Sequence, residues 1–113
     1  MNLITVVKKT NGKIEQAKVL LAMFCLLSGI NLSDTELTVL AYFLVYKITD
    51  STKELILKSQ ILKSEDSLKN TMSKLKKFGL IKKSTIVRGY EINDKVNVQL
   101  DSMVGMLIKI DNT

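Results

Sequence analysis

The sequence predicts a small α+β domain that is mainly helical and carries a β-hairpin in its C-terminal half. Two serines, Ser33 and Ser64, each precede a helix-forming run in the position of an N-terminal cap. The run after Ser64 is apolar along one stripe only, which is typical of a helix packed on a core. Gly79 is then followed by a β-rich segment with a second glycine, Gly89, near its middle. The length of 113 residues predicts a single domain.

The first helix is predicted from about Lys13 to Ser28, ending at Gly29, and a short β-rich strand over residues 3–7 precedes it. The middle of this helix is apolar on nearly every side, as is the next helix. Such a helix is either enclosed by its own domain or forms a homodimer interface. We predict a homodimer, and the expected interface residues are Leu20, Met23, Phe24 and Leu27.

The second helix is predicted from Ser33 to about Ile48. Ser33 and Glu36 have the spacing of a capping box, in which each side chain bonds the other residue's backbone N–H. A further cap at residues 50–52 predicts a third helix from about Lys53 to Leu62.

The fourth helix is predicted over residues 64–78, with Ser64 as its cap and Gly79 as its end. Its apolar residues recur at helical spacing and form one core-facing stripe: Leu68, Met72, Leu75 and Phe78. A β-hairpin is predicted next over residues 81–93, with its tip at residues 87–89.

The segment from Val96 to Ile110 has two interpretations. Its first apolar residues alternate as in a strand, while the rest suit either a strand or a short helix broken by Gly105. We predict extended structure, which pairs with residues 3–7 of the same or another chain.

The composition argues against catalysis. The chain has no histidine and one cysteine, which excludes a histidine-based triad, a zinc site with His or Cys ligands, and an internal disulfide. Paired acids occur only at predicted helix starts, and the glycines are too scattered for a phosphate loop. We therefore expect no enzyme activity, no cofactor, no metal and no small-molecule ligand. Cys25 lies in an apolar run and should be a buried, unreactive thiol.

The longest apolar runs are too short to span a membrane, which needs about 18–20 residues. Together with a free cysteine and the lack of a targeting signal, this predicts a cytoplasmic protein.

Excess positive charge is concentrated in one stretch. The whole chain has a net charge of +6, but residues 58–88 alone carry nine basic residues and two acids. Residues 1–57 are nearly neutral, and residues 89–113 are slightly acidic. The basic stretch coincides with the fourth helix and the hairpin, which favours a polyanionic partner.

The order of elements from residue 33 to residue 93 resembles the winged helix-turn-helix family. A Ser-capped helix leaves through Gly79-Leu80-Ile81 into a hairpin, and Ser64 and Gly79 are 15 residues apart, as in that family. The chain is most similar to MarR-type regulators and to phage or plasmid replication modules. The resemblance implies that helix 64–78 reads the major groove of duplex DNA and that the wing, residues 81–93, follows the minor groove or the backbone.

The remaining segments match no family. Residues 1–32 are interpreted as a strand and an oligomerisation helix, and residues 94–113 as a C-terminal extension.

The resemblance and the residue types together predict a non-catalytic, double-stranded DNA-binding regulator of transcription or replication, of phage or bacterial type. Lysines suit phosphates, Asn70 can pair with adenine, and the family often places an arginine at the wing tip, here Arg88. The predicted DNA contacts are Lys69, Asn70, Ser73, Lys74, Lys76, Lys77, Lys82, Lys83 and Arg88.

Two observations keep an alternative open. A lysine-rich helix face is often merely solvated, and the acids at positions 65 and 66 would repel phosphates. On the alternative interpretation, the same fold serves as a protein–protein interaction module or as a virion or packaging adaptor.

Overall fold

A computed structural model describes residues 12–86 and 88–111, and the side chains of residues 12–86 and 88–102. This part of the protein has five helices and one two-stranded antiparallel sheet, which confirms the predicted α+β class. The elements in chain order are α1 (Lys13–Ser28), α2 (Asp34–Tyr46), α3 (Asp50–Lys58), α4 (Glu65–Lys77), β1 (Ile81–Lys83), β2 (Tyr90–Ile92) and α5 (Asp94–Asp111). The strand predicted at residues 3–7 lies outside the described residues.

The predicted end of α1 at Gly29 and the predicted cap of α2 at Ser33 are confirmed, whereas α2 ends at Tyr46, slightly before the predicted Ile48. Gly29 ends α1 in a left-handed conformation with φ of 71°, and its N–H bonds the carbonyls of the last turn. At α2 the Glu36 N–H donates to the Ser33 hydroxyl at 3.2 Å, and the Ser33 N–H donates to the Glu36 carboxylate at 2.7 Å. Both bonds of the capping box are therefore present.

Helix α3 begins and ends earlier than predicted. Its cap is Thr49, whose hydroxyl accepts from the Thr52 N–H at 3.2 Å, so the acid and serine that follow lie inside the helix. The helix ends at Lys58, and Gln60 then takes a left-handed conformation with φ of 60°. This reversal turns the chain and lets the apolar pair at positions 61 and 62 pack on the core from a connecting segment.

The core draws side chains from every helix and from the start of the hairpin. Fully buried residues include Leu21 of α1, Phe43 of α2, Ile56 of α3, Leu75 of α4 and Val96 of α5. Burial of a large apolar side chain stabilises the fold by about 1.5–3 kcal/mol, so this cluster holds the helices together.

The hairpin is shorter than predicted, with three residues in each strand. Ile81 pairs with Ile92, and Lys83 pairs with Tyr90. The Ser84 N–H donates to the Gly89 carbonyl at 2.8 Å just beyond the paired residues.

The prediction of extended structure after residue 96 is wrong, because Asp94–Asp111 forms a helix. A strand would place positions 96, 98 and 100 on one face. In α5, Val96 and Leu100 lie one helical turn apart and are buried, whereas Val98 is 68% exposed. The helix packs against α1 and continues through Gly105, so the other interpretation, a short helix broken by Gly105, is wrong as well.

Burial assigns different roles to the apolar residues of α1. Phe24, predicted as an interface residue, is only 5% exposed and belongs to the core of its own domain, because α1 packs on α2. Leu20 and Met23 are half-buried, and Leu27 is exposed. Cys25 is buried as expected, and burial raises the pKa of its thiol, which disfavours the reactive thiolate.

None of the helices among the described residues has the length and apolar character needed to cross a membrane.

Candidate nucleic-acid interface

Helix α4 turns one face to the core and the opposite face to solvent. Leu68, Thr71 and Leu75 are buried and hold the helix against the domain. Successive residues of an α-helix are about 100° apart around its axis, so the residues opposite these three share a face that points outward. Four of the predicted contact residues lie on that face and are exposed: Lys69, Asn70, Ser73 and Lys77.

A depression of about 360 Å³ lies where α3, α4 and the hairpin meet. We call it the lysine basin. Its polar and aromatic lining comes from three segments, and its apolar lining comes from Met72 and Ile81. The residues that give the lysine basin its chemistry are Lys53, Lys69, Ser73, Lys76 and Tyr90.

Lys76 and Tyr90 are in direct contact within the lysine basin. The Lys76 Nζ lies 5.3 Å from the centroid of the Tyr90 ring, which is the geometry of a cation–π interaction. None of the three basin lysines forms an ion pair with a carboxylate in the described part of the chain.

Lys74 is directed away from the lysine basin, although the sequence grouped it with the other α4 lysines. Its Nζ lies 2.8 Å from the Glu36 Oε1 at the start of α2. Partial burial by itself would raise the pKa of Glu36, but the hydrogen bonds from Lys74 and Ser33 outweigh it and lower that pKa. Lys74 is therefore committed to an internal ion pair.

Lys82 is also engaged by acids. Its Nζ lies 3.0 Å from Asp94 Oδ2 and 3.7 Å from Glu91 Oε1. The hydrogen bond to Asp94, the charge of Asp94 and the neighbouring Glu91 raise the pKa of Lys82. This cluster links β1, β2 and the start of α5, so Lys82 has a structural role within the hairpin.

The two other predicted hairpin cations are exposed. Lys83 pairs directly with Tyr90 across the hairpin, and opposite residues of an antiparallel pair share one face. Lys83 therefore stands at the hairpin edge next to the lysine basin. Arg88 is exposed in the turn between the strands.

Acidic side chains lie at the far end of the same α3–α4 groove. A neighbouring depression of about 320 Å³ shares Lys53 and Lys69 with the lysine basin and adds Asp50, Glu54 and Glu65. The groove therefore has a basic half beside the hairpin and an acidic half beside the start of α4.

Sequence reasoning missed two residues of the lysine basin, Lys53 and Tyr90. Lys53 falls outside the basic stretch of residues 58–88, so charge counting separated it from the α4 lysines. The sequence feature that could have identified Lys53 is its spacing from Ile56, because it lies one helical turn before this buried residue. Tyr90 was predicted only as a strand residue, although an aromatic residue in a basic hairpin is a common element of nucleic-acid sites.

Chemically, the lysine basin offers ammonium groups, a hydroxyl and an aromatic ring, which bind phosphates and bases. The described residues contain no cluster of three or more histidine, cysteine or acidic side chains that could hold a metal.

Comparisons with protein-family models, curated proteins and solved structures give no match.

Proposed function

We propose that this protein is a non-catalytic protein that binds double-stranded DNA. The supporting observation is the position of the lysine basin beside the outward face of α4, with the exposed Lys83 of the hairpin next to it. Helix α4 lies in the major groove, and the hairpin follows the minor groove or the backbone, as in the winged helix-turn-helix proteins that residues 33–93 resemble.

We assign roles in this complex to five of the exposed residues. Lys69, Lys76 and Lys77 neutralise phosphates, Asn70 reads an adenine edge with two hydrogen bonds, and Arg88 enters the minor groove. Lys74 and Lys82 support these contacts indirectly, because their charges are already paired with acids of the same chain. The biological role that we propose is regulation of transcription or replication in the cytoplasm.

The active species that we propose is a homodimer formed through the exposed end of α1. Leu26 is 81% exposed and Leu27 is 70% exposed, one beside the other on the last turn of that helix. Burial of each leucine side chain in an interface would stabilise the dimer by about 1.5–3 kcal/mol relative to exposure to water. A two-fold pair would place two α4 helices about 34 Å apart, one turn of duplex.

A salt titration tests the proposal. Binding of the full chain to a random-sequence duplex is measured by fluorescence anisotropy at increasing salt. We compare Lys69→Gln/Lys76→Gln/Lys77→Gln with a matched triple variant of exposed lysines elsewhere, Lys13→Gln/Lys47→Gln/Lys58→Gln. The first variant should reduce the salt slope by about 0.9 for each phosphate that the protein no longer neutralises, and the second should leave the slope nearly unchanged.

Two results would count against DNA binding. One is no binding of the unmodified protein at low salt, and the other is an equal effect of the two triple variants. The first result would favour the protein-interaction or packaging role, for which the exposed leucines of α1 would be the contact surface.

A further inference from the structure

We infer, on the basis of the proposed DNA-binding function, that the lysine basin holds one backbone phosphate of the duplex. Lys53 of α3 anchors this phosphate together with Lys69 and Lys76 of α4, and Tyr90 is the residue that positions Lys76. This subsite includes two residues, Lys53 and Tyr90, that do not belong to α4.

The convergence of lysines supports the anchor. Three ammonium groups from two helices line one depression, and no described carboxylate pairs with any of them. Lysines that are only solvated gain from being far apart, because like charges repel. A phosphate in the lysine basin offsets part of that repulsion, as the acids of the adjoining depression do for Lys53 and Lys69, and Ser73 adds a neutral hydroxyl donor to the same lining.

The lysine basin is large enough for a backbone phosphate. Its volume of about 360 Å³ is near the lower end of small-ligand pockets, which span roughly 300–1,000 Å³. This space accommodates a phosphate with part of its sugar. A contact to a backbone phosphate carries no sequence information.

Tyr90 restricts where Lys76 can place its charge. The ring centroid lies 5.3 Å from the Lys76 Nζ, and Tyr90 itself is held in β2 opposite Lys83. A free lysine side chain loses rotamer entropy when a phosphate orders it. The contact with the ring orders Lys76 in advance, so less entropy is lost on binding.

The acidic half of the groove sets the direction of the strand. Asp50, Glu54 and Glu65 line the groove on the side of Lys53 and Lys69 that is away from the hairpin. A phosphodiester strand that continued along α3 would meet these carboxylates. The strand therefore leaves the lysine basin on the hairpin side, towards Lys83.

The anchor is tested with Lys53→Gln and its control Lys58→Gln, which removes the same charge from the same helix but does not line the lysine basin. Salt titrations are run on several duplexes of different sequence. Lys53→Gln leaves Lys69 and Lys76 on the same phosphate, so it should lower the salt slope by about 0.3, a third of the value for one phosphate, and weaken binding about twofold at about 0.1 M salt, equally for every sequence. Lys58→Gln should change neither quantity.

The positioning role is tested with Tyr90→Phe and Tyr90→Leu. Tyr90→Phe keeps the ring and should bind DNA like the unmodified protein, whereas Tyr90→Leu should weaken binding about two- to fivefold. Lys76→Gln should weaken binding less in the Tyr90→Leu background than alone, because the two residues act together. Thermal unfolding of each variant shows whether the fold is retained.

Each outcome has a distinct meaning. If the unmodified protein binds DNA and Lys53→Gln matches Lys58→Gln, the phosphate anchor is wrong while the proposed function stands. If Tyr90→Phe is as weak as Tyr90→Leu, the ring does not position Lys76. If the unmodified protein does not bind DNA at low salt, the proposed function and the anchor fail together.

Discussion

The carboxylate of Glu36 joins two helices through a single oxygen. Its Oε1 accepts the Ser33 N–H at 2.7 Å, which caps α2, and it also accepts the Lys74 ammonium of α4 at 2.8 Å. The Glu36 side chain is only 15% exposed, compared with 41% for Lys74. The cap of one helix thereby fixes the position of the helix that carries the candidate DNA-binding face.

Glu36→Gln should lower the free energy of unfolding by about 0.5–1 kcal/mol, since the partner lysine is partly exposed and the pair is screened by solvent. Glutamine can still complete a capping box, so the change isolates the ion pair from the cap. Urea unfolding measures the effect. The control Glu54→Gln removes an exposed acid that has no ion pair in the described part of the chain, and an equal decrease in both variants would contradict the assignment.

The stability that Glu36 contributes should depend on pH in a defined direction. Its pKa is lowered in the folded protein, so the unfolded chain binds a proton at a higher pH than the folded chain does. The contribution is complete above the ordinary glutamate pKa of about 4.3 and is lost as the pH falls through the lowered value. The unfolding free energies of the unmodified protein and Glu36→Gln should therefore converge in acid, and a constant difference would refute this.

Removing an acid from the groove should strengthen DNA binding. Glu54 lines the acidic half of the groove next to Lys53, and its charge repels a phosphate in the lysine basin. Glu54→Gln should raise the affinity about two- to threefold at low salt, with the gain disappearing at high salt because of screening. Glu15→Gln, an exposed acid on α1, is the matched control in the same anisotropy assay. A weaker complex with Glu54→Gln would show that the duplex does not approach this groove.

Oligomeric state should respond to changes at the end of α1. Leu26→Glu/Leu27→Glu should convert a homodimer into a folded monomer, because both side chains are exposed and a charge there costs little in the monomer. Phe24→Glu is unsuitable because that residue lies in the core. Ile86→Glu, at a position that is 88% exposed on the hairpin, should leave the dimer intact. Light scattering that finds the unmodified protein monomeric at high micromolar concentration would exclude the dimer.

The caps of α2 and α4 were predictable because their signals are local, whereas the cap of α3 is Thr49 and not the predicted residues 50–52. Ser33, Glu36 and Ser64 act within four residues of themselves, so the sequence alone contains their geometry. The C-terminal helix was not predictable in this way. Val96 and Leu100 satisfy both the two-residue period of a strand and the four-residue spacing of a helix, and packing against α1 decides between them.

The candidate site was only partly predictable for a related reason. Lys74 and Lys76 are two residues apart and chemically identical, but one pairs with Glu36 and the other contacts Tyr90. Helix geometry already places them about 200° apart around α4, and the partners contributed by distant segments determine which of the two is paired with an acid. Lys53 joins the site through the packing of α3 beside α4, which charge counting along the chain does not reveal.

The contact of α5 with α1 makes one cooperative unit of the described chain. Val96 and Leu100 of α5 and Leu21 of α1 belong to a single buried cluster that also includes the hairpin residue Ile81. A fragment cut to residues 33–93 would keep every exposed cation of α4 yet lack the side chains that cover the inner surface of α2. In native-state hydrogen exchange, the protected amides of α1 and of the first turns of α5 should therefore open together, with the free energy of global unfolding.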